Sequence, residues 1–172
     1  DSGRVKPFDS FARETLEMIH GKTTLNGKPA TEVVMTWILS PQAWQDQAFF
    51  ELKNFEIKKA MGLPNEKKYF TGAEIFSNER FSTLRQELQA KRETKEKLTP
   101  YFQALQRLEN QFFVFSEVAT GKMLKLVPQK EGDAWIALPD LNADYQAIFM
   151  DISKHFIAMI GADAEGRSGL PA

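Results

Sequence analysis

The stretch TPYFQALQRLENQFFVFSEVAT, Thr99 to Thr120, carries the strongest amphipathic period in the chain. Tyr101, Phe102, Leu105, Leu108, Phe112 and Phe115 recur at three- and four-residue intervals, which places them on one face of an α-helix. Thr99 is a capping residue type, and Pro100 is tolerated only in a first helical turn. Periods of the same kind lie on both sides of it. Upstream, TGAE at Thr71 to Glu74 has capping-box spacing, and one long helix is expected to follow with Ile75, Phe81, Leu84 and Leu88 inward. In its polar remainder, Glu87/Lys91 and Glu93/Lys97 stand four residues apart, as on a solvated helix face.

Closer to the start, Phe8, Phe11, Ala12, Leu16 and Ile19 share a helical face. Pro7 suits the first turn of that helix, Asp9 complements its positive end, and His20-Gly21 reads as its stop. Asn26-Gly27 marks a turn, and Val33, Val34, Trp37 and Ile38 a second short helix. Ser40-Pro41 reads as a cap and first position of a helical turn carrying Trp44. AFFELKN (48–54) fits a strand or an extended connector, and Ile57 to Met61 a brief helix ended by Gly62 and Pro64.

Beyond Gly121 the period changes. KMLKLVP and DAWIALP, separated by a Gly-Asp loop, predict a small β-hairpin near residues 122–138. Asp140 or Asn142 then caps a last helix through Tyr145, Ile148, Phe149, Ile152, Phe156 and Ile160, ended by Gly161. These readings give a mainly α fold: an irregular helical domain over 1–161 with one minor hairpin, and a mobile tail over 162–172. The chain does not begin with Met, so it is expected to be a processed protein or an excised segment.

Composition limits the chemistry. The chain has 172 residues, 42% hydrophobic and 12% aromatic, enough for one domain with a core. Its net charge of −1 gives no general electrostatic case for nucleic acid or an anionic membrane surface. It contains no Cys, which rules out disulfides and thiolate sites. That absence fits a reducing cytosol and an oxidising compartment equally. No apolar run approaches the ~20 residues of a membrane span. Serine nucleophile elbows, P-loops, dinucleotide fingerprints and calcium loops are missing, so a non-enzymatic module is expected.

The remaining candidates each have two readings. His20 and His155 are helix-end residues facing free carbonyls, or contacts to a haem or metal. Trp44 and the Phe49-Phe50 pair fit no clean helical face; they are core, or an exposed contact patch. Arg4 and Lys6 precede a helix N-terminus whose free N–H groups would suit an anion, or they simply lead into the helix.

The segment DSGRVKPFDSFARETLEMIHGKT resembles bacterial cytochrome c biogenesis proteins of the Ccs/Res type (system II). Their pattern GR-x-KP-x-D-(S/T)-x-A-R is matched by Gly3, Arg4, Lys6, Pro7, Asp9, Ser10, Ala12 and Arg13. VVMTWILSPQAWQDQAFFEL is similar to its continuation, so the likeness covers about the first third of the chain. The resemblance implies a soluble extracytoplasmic (periplasmic) domain of a protein in the bacterial inner membrane. Such proteins export or hold haem and help attach it to apocytochrome c. Implied partners are membrane-embedded parts of the same or a partner biogenesis protein, and apocytochrome c. The family's tryptophan-rich haem segment is not present in this sequence, so no haem ligand carries over by position. The alternatives are a haem-binding domain with His20 or His155 as axial ligand, an unrelated helical interaction domain, and an unrelated helical enzyme.

Overall fold

A computed structural model describes residues 7–95, 97–123, 125–128 and 135–167. Arg4 and Lys6 lie outside the described residues, as does the end of the tail. The described residues form seven helices and three small antiparallel strand pairs, a mainly α fold.

Helix α1 (Phe8–His20) follows the expected period, with Ala12, Leu16 and Ile19 fully buried. Pro7 stands one position before the helix rather than in its first turn, and Asp9 pairs with Arg13 one turn on at 2.9 Å. Strands β1 (Thr24–Leu25) and β2 (Lys28–Pro29) make a hairpin around Asn26-Gly27. Both turn residues have positive φ, 52° and 78°, as a two-residue hairpin turn demands. Helix α2 (Ala30–Leu39) and a 3-10 turn (Pro41–Trp44) follow.

The ambiguous AFFELKN stretch becomes strand β3 (Phe50–Glu51). After helix α3 (Phe55–Met61), β3 pairs with β4 (Tyr69–Phe70), Phe50 opposite Phe70 and Glu51 opposite Tyr69. Thr71 and Glu74 close the capping box at both of its bonds. The single long helix expected beyond it is two: α4 (Gly72–Phe76) and α5 (Glu79–Glu93). Asn78 causes the break. Its Oδ1 accepts from the Arg80 N–H and starts a new helix, while its Nδ2 donates to the Met61 carbonyl. The inward set of Ile75, Phe81, Leu84 and Leu88 is nonetheless buried as expected.

Helix α6 (Pro100–Ala119) is the centre of the fold, with α1, α2, α3 and α5 all packing on it. Leu105 and Leu108 face inward, but Phe112 lies on the margin of that face and is exposed. Gln111 takes an inward position instead. Thr99 and Ser40 make no side-chain cap bond, whereas Asn54 and Asn142 do.

The hairpin expected near 122–138 is formed by β5 (Lys125–Pro128) and β6 (Trp135–Ala137). Helix α7 (Ala143–Arg167) then departs from the sequence reading in two ways. It runs through Gly161, because glycine inside a helix costs only about 1 kcal/mol and does not break it. Its expected core stripe is also turned outward: Phe149 packs on the core, but Tyr145, Ile148 and Ile152 are exposed. No described helix is long and apolar enough to cross a membrane.

Candidate functional site

The aromatic residues between α2 and α6 are core. Phe49 and Phe50 are each 1% exposed and stack at 4.4 Å. Trp37 tilts onto Phe49 at 5.1 Å, and Phe115 of α6 meets Trp37, Phe49 and Phe50 at 5.2–5.4 Å. Trp44 is half-buried, edge-on to Trp37 and Phe49, with its Nε1 donating to the Thr36 hydroxyl. The exposed patch expected of Trp44, Phe49 and Phe50 is therefore not formed by the phenylalanines. They escaped the helical periods because they sit at a strand, where both neighbours turn out to be covered.

Exposed apolar surface lies elsewhere. Tyr145, Ile148 and Ile152 run along one side of α7 at helical spacing, and Met150 is also exposed. On α6, Phe113 is 60% exposed beside a cleft shared with Arg85, Arg92 and Glu109. In that cleft Glu109 accepts from Arg85 at 2.9 Å and Arg92 at 2.8 Å, locking α5 to α6.

A polar cluster sits where α1, β3, β4 and α6 meet. His20 ends α1, 4% exposed, and its Nδ1–H donates to the Phe49 carbonyl at 3.0 Å. Its ring stacks on Tyr69 at 4.3 Å. Glu51 is buried, with Lys53 at 2.9 Å on one carboxylate oxygen and Lys68 at 3.1 Å on the other. Gln111 is 2% exposed and donates through Nε2 to the carbonyls of Met18 (3.0 Å) and Glu51 (3.3 Å), tying three elements together.

Electrostatics follow from this packing. Burial works to raise the Glu51 carboxyl, but the hydrogen bonds and charges of Lys53 and Lys68 outweigh it and hold the group below its usual value. Glu51 thus stays ionised near neutrality and anchors the strand; it is a poor proton acceptor. His20 is shifted downward. Burial dominates, against the Phe49 carbonyl, which favours the charged ring; Lys22 and Lys68 add to the lowering and Glu51 opposes it.

A lowered histidine makes stability depend on pH in a defined sense. As pH falls, the unfolded chain takes up the proton first, near the ordinary pKa of 6.5. The unfolded state then binds more protons, so unfolding becomes easier. The carboxylates with lowered values, Glu51, Glu74 and Glu109, act below their ordinary 4.5. Urea unfolding at pH 7.5 and pH 5.5 therefore isolates the histidine: stability is expected to fall in the wild type and to change less in His20→Asn. Equal pH dependence in the two proteins would refute the assignment.

His155 is elsewhere, mid-helix on α7 rather than near its end. Its side chain is 80% exposed, with Nδ1 near the carbonyl (2.9 Å) and carboxylate (3.7 Å) of Asp151. The structure does not bring the two histidines into one site. His20 has the anchored Nδ1–H that an axial ligand uses, with Tyr69 stacked on its ring face, and neither histidine lines any of the four described clefts. Among the described residues, no group of three His, Asp or Glu side chains is placed to hold a metal ion.

Sequence periods passed over Glu51 and Gln111. Gln111 had a signal: it stands at an inward position of the α6 stripe, three residues after Leu108 and four before Phe115. Glu51 had none, since its burial depends on β4 and α6 arriving from elsewhere in the chain.

The chain has a local likeness to a known protein. Over 61 residues the chain is 30% identical to Protein NrfI of Wolinella succinogenes. The matched residues make up 36% of this chain and only 7% of that protein. No family model matches the chain.

Proposed function

We propose that the chain is a non-catalytic interaction or positioning module of a cytochrome c biogenesis protein, working on the extracytoplasmic side of a bacterial inner membrane. The local likeness to Protein NrfI, together with the system II resemblance of the N-terminal segment, carries this reading. The system II pattern of the N-terminal segment supports it independently of the fold. The exposed apolar side of α7 supplies a surface through which such a module holds a partner. Its partners in this reading are membrane-embedded parts of the biogenesis machinery and apocytochrome c.

The test is in the organism that makes the protein. Ile148→Asp/Ile152→Asp alters two exposed positions and leaves the core intact. Covalently bound haem in c-type cytochromes, read by haem staining, is expected to fall severalfold with the double variant and further on deletion of the domain. A normal holocytochrome yield after clean deletion would refute the function; a normal yield with the double variant alone would refute α7 as its surface.

A further inference from the structure

Successive residues of an α-helix are turned by about 100°, so Tyr145, Ile148 and Ile152 of α7 fall within an arc of about 60°. All three are exposed, at 47%, 56% and 56%. On one side this stripe is bordered by the residues that hold α7 to the body: Phe149 packs on the core, Ser153 is buried and Phe156 is half-buried. On its other side stand Asp144 and Asp151, both exposed. They are two turns apart and form a row parallel to the stripe.

The acidic row is not neutralised locally. Asp144 lies in the first turn of α7, where a carboxylate complements the helix dipole. Asp151 has no such role at mid-helix, and its neighbour is the exposed His155 ring, 3.7 Å away. Between Asp140 and His155 the only Lys or Arg is Lys154. It lies beyond the acidic row, about 120° round the helix from Ile148. Among the described residues, neither aspartate has a lysine or arginine within ion-pair distance.

These charges separate the possible occupants of the stripe. A second copy paired antiparallel would set the two acidic rows against each other, and like charges there are repulsive. Paired in parallel, each row would meet the partner's Phe149 side, which its own core already uses. An anionic lipid surface is repelled by the same carboxylates. A helix with cations beside its apolar residues satisfies the stripe and the row together.

We propose that, with α7 as the module's partner surface, this stripe docks a short amphipathic helix of another protein that carries lysine or arginine beside its apolar face. Tyr145 to Ile152 rises about 10 Å, and His155 takes the next position along the stripe, so about two turns of the partner are covered.

Titration of the ¹⁵N-labelled 172-residue chain with synthetic helical peptides, followed by NMR, tests this. The probe has leucine at the first and fourth positions of each heptad and lysine flanking them. A second peptide carries glutamate for lysine, and a third has the probe's residues reordered to destroy the apolar face. The lysine peptide is expected to give saturable shifts centred on 144–152, the glutamate peptide to bind at least about tenfold more weakly, and the reordered peptide not to saturate. Asp144→Lys/Asp151→Lys is expected to invert the order of the first two. Asp151→Lys alone, away from the helix end, is expected to shift it the same way by a smaller factor. Ile148→Asp/Ile152→Asp is expected to abolish saturable binding. Loss of binding in that variant, with the order of peptides unchanged by charge reversal, would overturn the partner's charge and leave α7 as the surface. Binding unaffected by any of these variants would overturn both. Self-association of the chain alone that Ile148→Asp/Ile152→Asp removes, or tighter binding to phosphatidylglycerol vesicles than to the lysine peptide, would assign the stripe to a second copy or a membrane and overturn the proposal.

Discussion

Phe49→Ala is expected to lower the free energy of unfolding by about 3–5 kcal/mol, the usual cost of removing a buried aromatic ring. The ring is 1% exposed and touches Trp37, Trp44, Phe50 and Phe115 at once, with centroids 4.4–5.5 Å away. Those neighbours come from α2, the 3-10 turn, β3 and α6, so none can move into the void without leaving its own contacts. A domain with a net stability of about 5–15 kcal/mol loses a large part of it. Urea unfolding measures the effect. Phe113→Ala is the control: that ring is exposed and has no aromatic neighbour among the described contacts, and the change is expected to stay within about 0.5 kcal/mol. A Phe49→Ala loss below ~1 kcal/mol would show that the aromatic cluster is not the core of the fold.

Gly21→Ala has the second-largest expected effect, a loss of about 2–4 kcal/mol, and for two separable reasons. Gly21 ends α1 with φ +73°, a left-handed conformation that costs a side-chain-bearing residue roughly 1–2 kcal/mol. A Cβ there would also lie 2.5 Å from both carboxylate oxygens of Glu51. Glu51 is the flexible end of a side chain, but Lys53 and Lys68 hold it in place. Displacing it strands a buried charge. A double-mutant cycle separates the terms. In a Glu51→Ala background the collision is gone, and Gly21→Ala is expected to cost only its backbone share. An unchanged cost in that background would leave Gly21 with a conformational role alone.

Much of the local structure was legible in single residues. Gly21 stops α1, Asn26-Gly27 makes the first hairpin, Thr71 and Glu74 close a capping box, and the α6 stripe runs from Pro100. Each of these is settled within a few residues by backbone sterics and short-range hydrogen bonds. Asn78 shows the limit of such reading. Nothing in the apolar period of Ile75, Phe81, Leu84 and Leu88 reveals that one helix is two; the break depends on an asparagine that also bonds Met61, 17 residues back.

The candidate site was less legible, because its residues come together only across long separations. Gln111 reaches Met18 over 93 positions and Glu51 over 60, and His20 reaches Phe49 over 29. Periodicity reports which face of an element is apolar and is silent on which partner covers it. That is why the Tyr145–Ile152 side of α7 looked like core and lies exposed, and why Phe49 and Phe50 looked available and lie buried. By itself the sequence determined the mainly α class, most of the helices and some of their caps, since those follow from local sterics and side-chain spacing. Only the tertiary structure decided the aromatic core and the buried Glu51 with its two lysines, since each depends on elements distant in the chain meeting at one place.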